Sequence, residues 1–301
     1  MRRARAELSG AGDAARGLLD VLDSHRDHHF RRTRSRRVTG EKSALEFINA
    51  TGFCTAFTAG LGVACLREAI SGEREPQQPE HIQHDYAIGM TWRLKDTLPA
   101  RRLVYYGKVI GGRPSFIALN LVGAFLKLRL KPGGYVSLYG RGGLSHCAKL
   151  VMDVLTKRGA SETKALKLSS GYARPRERAT FDRAMKELQE KFLALKVEER
   201  YEPFTYVWDT LEHRWPDALR EARSIPRREA AYAIVRRYFQ IAAYRNERAV
   251  ARLLGMEPAL MESTARRLER EGLIRRGVKL DGAAGTFAVL AQYVSALTTA
   301  A

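Results

Sequence analysis

Hydrophobic residues recur every three or four positions in short blocks along the chain, and polar, glycine or proline residues separate the blocks. This spacing predicts amphipathic helices that each bury one stripe. Towards the C-terminus it predicts a helix over residues 228–242, a second over residues 247–254 and a third over residues 258–271. Asn246 suits the N-cap of the second helix, and Gly255 suits its C-terminal end.

A strand-like run follows the third of these helices. Residues 273–279 hold apolar and basic side chains around Gly277, which predicts a β-hairpin. Helices followed by a hairpin in this order are typical of a winged helix, and the second helix of a helix-turn-helix lies in the major groove of DNA. Residues 223–301 are therefore predicted to form a winged-helix unit with a C-terminal extension.

The same order of elements occurs twice more upstream. Three helices over residues 43–98, the first with Ser43 as N-cap, precede two strand-like runs joined at residues 111–114. A further copy begins with Ser145 as an N-cap and ends in a hairpin within residues 193–208. This repeat predicts a mainly α protein with small β-hairpins, of the α+β class, built from tandem winged-helix domains. The predicted units cover residues 43–140, 141–222 and 223–301.

The first 42 residues differ from the rest. They carry many arginines and little periodic hydrophobicity, apart from a short apolar run at residues 18–22. This composition predicts that residues 1–42 form a basic, disordered tail. His25, His28 and His29 lie in this tail, but no cysteine or carboxylate cage is near them in the sequence, so we expect no metal site.

The charge of the chain indicates a polyanionic partner. Lysine and arginine total 52 against 33 aspartate and glutamate residues, which gives a formal net charge of +19 and a pI near 10.2. Such an excess favours a polyanionic partner, and contacts of Lys and Arg with phosphates make binding salt-dependent. Together with the predicted winged helices, it makes double-stranded DNA the expected partner. An anionic membrane surface is the other partner that this charge allows.

Cysteine usage and hydropathy indicate the compartment. Cys54, Cys65 and Cys147 contain no C-x-x-C pair, which favours reduced thiols over a disulfide framework. The N-terminus has no apolar segment of a signal peptide, and the apolar stretches at residues 116–126 and 287–297 are too short or too polar to span a bilayer. We expect a soluble, cytoplasmic, nucleoid-associated monomer that needs no cofactor.

One face of the last predicted helix is polar and basic. Its apolar residues share one side, so the opposite side presents polar and cationic groups at i, i+3, i+4 and i+7. The following hairpin adds more cations. The residues predicted to contact DNA are Ser263, Arg266, Arg267, Arg270, Arg275, Arg276 and Lys279. The alternative is a solvated face of an ordinary helical domain.

Several motifs resemble those of the AlkZ/YcaQ-like winged-helix DNA glycosylases, and most closely an AlkZ-related branch. They are TWRLKDTLP at residues 91–99, VYYGK at 104–108, GLS at 143–145, FTYVW at 204–208 and the run that begins REA at 228–230. The resemblance covers about residues 43–282. It implies three tandem winged helices that form a concave, cationic DNA-binding surface. It also implies cleavage of the N-glycosidic bond of alkylated bases and unhooking of interstrand crosslinks.

The chain departs from this family in two places. The family carries Gln-x-Gln or Gln-x-Asp just after the first helix, whereas the corresponding residues 52–57, GFCTAF, include neither glutamine nor a carboxylate. The residues after Gly282 are too few and too rich in alanine for the C-terminal β-barrel of the family. Glycosidic cleavage needs a group that orients water, and the remaining candidates are His84, Asp85 and Asp96. A helix cap or an ion pair is the simpler role for a carboxylate such as Asp96.

Three aromatic residues are candidates either for stacking on a base or for packing in the core. Trp92, Tyr105 and Tyr106 are of the kind that stacks on an extruded base. Such residues more often pack a hairpin onto a helix, and we expect Trp92 in the core.

Two functions of different classes remain open from the sequence. A DNA-binding protein of the AlkZ-related type, either excising damaged bases or only binding, accounts for the motifs and the charge. A winged-helix transcription regulator without enzymatic activity accounts for the last unit and predicts dimers on a palindromic site.

Overall fold

The computed structural model describes residues 17–130 and 133–298, with side chains described up to residue 294. The chain is mainly helical and carries three small antiparallel sheets. No helix within these ranges is both long enough and apolar enough to cross a bilayer.

The N-terminal region contains a packed helix. Leu18–Phe30 form α1, so the prediction of a disordered tail over residues 1–42 is wrong for this part, whereas residues 1–16 lie outside the described ranges. Leu22 and Phe30 are completely buried because α1 packs on a helix of the last unit, more than 200 residues away. The short apolar run seen in the sequence is therefore a core segment with a distant partner.

The first unit has the predicted order of three helices followed by a hairpin. A short strand after the first helix joins the later hairpin in a sheet of order β1-β3-β2. Its elements are α2 (Glu41–Thr51), β1 (Phe53–Thr55), α3 (Leu66–Ser71), α4 (Tyr86–Ala100), β2 (Tyr105–Ile110) and β3 (Arg113–Ile117). Helix α2 begins two residues before the predicted cap, and the Ser43 hydroxyl accepts a hydrogen bond from the backbone of Gly40 within its first turn.

The second unit repeats this plan with a sheet of order β4-β6-β5. Ser145 is the N-cap of its first helix, as predicted, and its hydroxyl accepts from the amide of Ala148. Two connecting helices come first, α5 (Leu119–Arg129) and α6 (Gly134–Gly140). The elements of the unit are α7 (His146–Arg158), β4 (Ser161–Glu162), α8 (Thr163–Ser169), α9 (Arg178–Glu190), β5 (Ala194–Tyr201) and β6 (Phe204–Thr210).

The third unit closes with a sheet of order β7-β9-β8. Its predicted helices are confirmed to within one residue, because Asn246, Gly255 and Pro258 define their ends locally. Two connecting helices precede the unit, α10 (Leu211–Arg214) and α11 (Pro216–Ser224). The elements are α12 (Arg227–Ala242), β7 (Tyr244–Arg245), α13 (Glu247–Leu254), α14 (Pro258–Arg270), β8 (Ile274–Val278), β9 (Phe287–Leu290) and α15 (Ala291–Thr298).

The described residues form two hydrophobic cores. Residues of α1, the first unit and the third unit form one continuous cluster, because α5 packs against α11 and α12. Phe53 and Phe125 meet edge to face inside this cluster, with ring centroids 5.3 Å apart. The second unit has its own core around Leu155, Phe181 and Leu188. The first and third units therefore stabilise each other, and the domain boundaries inside this shared core stay a prediction.

Arginines join helices that are distant in sequence. The last carbonyls of a helix have no partner within that helix, and they carry the negative end of its dipole. Four arginines donate to such carbonyls. The pairs are Arg26 with Ala242, Arg129 with Leu254, Arg214 with Pro99 and Ala100, and Arg237 with Ala50, at 2.7–3.1 Å. These guanidinium groups therefore stabilise contacts between separate parts of the fold.

Substitution of Arg129 tests this role. Its Nη2 donates to Leu254 O at 2.7 Å and to Val109 O at 3.3 Å. We expect Arg129→Met to lower the free energy of unfolding by about 2 kcal/mol, because the substitution removes hydrogen bonds from a charged donor to partly buried carbonyls. Arg129→Lys restores only part of this stability, since one ammonium does not reproduce the planar donor fork.

Urea unfolding measures the change. The control is Arg270→Met at an exposed arginine, which we expect to alter stability by less than about 0.5 kcal/mol. Equal effects of Arg129→Met and Arg270→Met contradict the role of Arg129.

Candidate nucleic-acid interface

Helix α14 and the β8 strand carry the predicted cationic face. Met261, Ala265 and Leu268 are buried against the core of the third unit. Because these residues occupy one side of the helix, the opposite side faces solvent, with Ser263 and Arg270 exposed.

The residues predicted to contact DNA differ in their exposure and in the ion pairs that they form. Arg270, Arg275 and Lys279 are exposed and form no ion pair within the described ranges. Arg266 is also exposed and forms an ion pair with Glu262 one turn earlier on the helix, at 2.8 Å. Exposed pairs of this kind are weak, so Arg266 can exchange Glu262 for a phosphate.

Arg267 forms more contacts within the protein than Arg266 does. Its guanidinium lies over the ring of Tyr232 at 3.8 Å and pairs with Glu229 at 2.6 Å and Glu271 at 3.0 Å. These contacts attach α14 to α12. A phosphate contact by Arg267 has to compete with two carboxylates.

Arg276 has a structural role in the third unit. Its side chain is only 21% exposed and contacts Glu247 at 2.7 Å and Glu262 at 2.7 Å. Glu269 accepts a hydrogen bond from its backbone amide at 3.0 Å. These carboxylates raise the pKa of Arg276 further, mainly through the hydrogen bond with Glu247. Arg276 therefore fixes the hairpin to α13 and α14.

Two further cations lie beside this face. Arg248 and Arg252 are exposed on α13 and have no ion pair in the part of the chain that the structure describes. They border a groove of about 1190 Å³ between α13, α14 and the hairpin. Neither was predicted from the sequence, although their i, i+4 spacing opposite the buried Val250 and Leu254 was a usable signal. Helix α13 directly precedes α14 along the chain, in the same order as the two helices of a helix-turn-helix.

The three catalytic candidates do not form a site. Asp85 is the N-cap of α4 and accepts from the amide of Ile88 at 2.7 Å. His84 is exposed, and its ring lies 5.9 Å from that of His81. Asp96 lies eleven residues after Asp85, about 16 Å further along the helix axis. The two carboxylates therefore cannot act on one bond.

Asp96 belongs to an ionic cluster between the first and second units. It accepts from Lys95 Nζ at 2.7 Å and from the hydroxyl of Tyr201 at 2.6 Å. Lys95 also contacts Glu199, which is bonded to Lys196 on the same strand. Burial, and then the charge of Lys95, lowers the pKa of Lys196 to about 7. This cluster attaches β5 to α4, which is the ion-pair role that the sequence allowed for Asp96.

The segment that corresponds to the family motif is packed. Cys54, Thr55 and Ala56 are completely inaccessible to solvent. The Thr55 hydroxyl donates to the carbonyl of Thr58 at 2.6 Å, so it is already satisfied. Burial raises the pKa of the Cys54 thiol well above its ordinary value. This corner offers neither a solvent-lined pocket nor a group that activates water.

Trp92 lies at the surface, which contradicts its predicted place in the core. Its side chain is 45% exposed on the outer face of α4 and meets Phe57 edge to face at 6.4 Å. The inner face of α4 is filled by Thr91 and Leu94 instead. In contrast, Tyr105 and Tyr106 are buried, and burial raises their pKa values.

The histidines near the N-terminus have structural contacts. His25 Nε2 lies 2.8 Å from the carbonyl of Gln240, and Nδ1 lies 2.8 Å from the hydroxyl of Tyr293. Burial is the main cause that lowers the pKa of His29 to about 4. His25 therefore helps attach α1 to α12 and α15.

The fold is that of a mainly α protein with three small antiparallel sheets. The chain belongs to the AlkZ-related family, whose model matches residues 38–255. Its structure is similar to that of the DNA glycosylase AlkZ from Streptomyces sahachiroi, with a TM-score of 0.55 and 12% sequence identity. The match covers 92% of this chain and 71% of that chain, and at this identity it shows the fold. No curated protein matches the sequence significantly.

Substitutions of Arg275 and Arg276 test whether Arg276 stabilises the fold while its neighbour Arg275 only faces solvent. We expect Arg276→Met to lower the free energy of unfolding by about 1–2 kcal/mol, because it leaves three carboxylates close together without their cation. Arg275→Met, one residue earlier and exposed, changes stability by less than about 0.5 kcal/mol. Thermal and urea unfolding measure both variants. This assignment is wrong if Arg275→Met is the more damaging change.

Proposed function

We propose that this protein binds double-stranded DNA through the third unit and acts in DNA repair as a member of the AlkZ-related family. The proposed contact is the α13–α14 surface, which we define by its exposed groups: Arg248, Arg252, Ser263, Arg266, Arg270, Arg275 and Lys279. Membership of the family supports the repair context. The exposed guanidinium groups support the DNA contact, and they are the single observation on which the proposal rests.

The order of α13, α14 and the hairpin matches the order of the elements with which a helix-turn-helix protein contacts duplex DNA. Helix α14 follows α13 after a short turn, and the β8 strand follows α14 directly. In a helix-turn-helix the second helix enters the major groove by its N-terminal part and the first crosses the backbone. Ser263 and Arg266 then lie nearest the groove, while Arg248 and Arg252 contact phosphates. Arg275 and Lys279 reach the backbone from the hairpin.

We propose binding without base excision by the family motif. Residues 52–57 contain neither glutamine nor a carboxylate, and residues 52–56 are buried. Asp85 is used as a helix cap, and Asp96 is used in the ionic cluster. Cleavage of an N-glycosidic bond needs a group that orients water and charge stabilisation at the sugar, and none of these residues is placed for it.

A charge-reversal variant tests the DNA contact. We expect Arg266→Glu/Arg270→Glu to weaken binding to a short duplex by ten-fold or more, about 1.4 kcal/mol. The slope of log affinity against log salt should also fall by roughly one for each phosphate that the variant no longer binds. Fluorescence anisotropy over a range of salt concentrations measures both quantities.

The control is Lys42→Glu/Arg183→Glu, which changes the charge by the same amount at exposed positions elsewhere. We expect this control to reduce affinity much less. Equal reductions in the two double variants mean that binding depends on net charge alone, and wild-type affinity that is independent of salt refutes the proposal.

A base-release assay tests the absence of excision. We expect the wild-type protein, in excess over an alkylated duplex, to release no base above the uncatalysed background while it remains bound. Asp85→Asn and Asp96→Asn should leave this result unchanged, apart from any reduction in stability. Base release that disappears in either variant shows that a carboxylate we have assigned to structure is catalytic.

A further inference from the structure

The second unit carries a groove of about 400 Å³ between α8 and the tip of the β5–β6 hairpin. Its walls are the hydrocarbon of Leu168 on one side and the ring of Phe204 on the other. Both are unusually exposed for apolar residues, at 73% and 57%. Grooves of roughly 300–1,000 Å³ are the size at which proteins bind small organic groups.

Aromatic rings continue from this groove into the sheet. Phe204, Tyr206 and Trp208 alternate along β6 and so lie on one face of the strand. Successive ring centroids are 5.1 Å and 5.8 Å apart, each pair meeting edge to face. Trp208 is anchored by a hydrogen bond to Thr163 at 3.0 Å. Phe204 is thus the exposed end of this row of rings along β6.

The groove is bordered by cations. Lys164 is exposed, and Lys167 lies with its ammonium 5.2 Å from the Phe181 ring. Arg174 is exposed just after the groove residue Ala173. The neighbouring carboxylate of Glu162 is paired with Arg200 at 2.6 Å. The local charge is therefore positive beside an exposed aromatic ring.

The hairpin tip is held in a fixed position. The Tyr201 hydroxyl donates to Asp96 on α4 at 2.6 Å, and Tyr201 packs against Phe204 with centroids 5.8 Å apart. Helix α9, which corresponds to the major-groove helix, packs against β2 of the first unit. Its Lys186 and Glu190 lie beside Gly112 at the turn of that unit's hairpin. The hairpin tip and α8 of the second unit are therefore accessible to a ligand, whereas part of α9 is covered by the first unit.

We propose that this groove binds one unpaired nucleotide of a nucleic-acid strand, with the base stacked on Phe204 and the adjoining phosphates contacting Lys164 and Lys167. Stacking on an aromatic ring accepts any base, because every base has a π-face. Cations beside the ring match the charge of the strand. The inference deepens the proposed function, because it assigns DNA with an extrahelical or unpaired base as the preferred ligand. The two are nevertheless separable by experiment.

The experiment compares two short duplexes that differ only in one extrahelical 2-aminopurine, which fluoresces less when it stacks. We expect the full-length wild type to bind the bulged duplex about ten-fold more tightly than the paired one and to quench its fluorescence. Phe204→Ala should remove both the preference and the quenching, yet retain affinity for the paired duplex. Phe204→Trp should keep both. Lys164→Ala/Lys167→Ala should lower affinity for the bulged duplex more than for the paired one.

Tyr86→Ala is the matched control, because Tyr86 is an exposed aromatic residue on α4 that does not line the groove. It should leave the preference unchanged. A wild type without preference, or a preference that survives in Phe204→Ala, overturns the inference while paired-duplex binding still supports the proposed function. Conversely, failure to bind the paired duplex, together with Phe204-dependent binding of unpaired strands, overturns the proposed function and supports the groove.

Discussion

The fold depends on guanidinium groups that bind the terminal carbonyls at helix ends. The last carbonyls of a helix have no partner within that helix, and an acceptor that is left unsatisfied is costly wherever it is buried. Arg26, Arg129, Arg214 and Arg237 donate to such carbonyls across distances of more than 100 residues in sequence. Each of them also places a positive charge at the negative end of a helix dipole. The helices can therefore meet end to side, and the first and third units can share one core.

Because some arginines bind helix ends, the net charge of +19 overstates the positive charge that is available to a partner. Part of the arginine content is used inside the protein, at helix ends and in ion pairs such as that of Arg276 with Glu247. The cations that remain available to a polyanion are those exposed without a carboxylate partner in the described ranges, as Arg248 and Arg252 are. Total charge thus indicates the kind of partner, whereas only the contacts of each side chain indicate where that partner binds.

The sequence predicts features that are determined locally. Helix α13 was predicted at its observed bounds because Asn246 and Gly255 act within one turn. Features set by distant contacts were not predictable in this way. Arg275 and Arg276 are neighbours with the same side chain, yet only the second faces carboxylates on α13 and α14. The α1 helix was missed for the same reason, since its partner lies in another unit. Arg248 and Arg252 enter the proposed surface only once the structure places α13 beside α14, so the sequence alone did not include them.

Hydrogen exchange of the whole chain, with and without a paired duplex, tests the central claim most directly. Backbone amides exchange more slowly where a ligand covers or stabilises them. Binding through the α13–α14 surface predicts that protection increases in residues 247–279, while α2 and α7 at the other units change little. Protection confined to the first unit, or no change at saturating duplex, contradicts the claim that the third unit is the DNA-binding part of this protein.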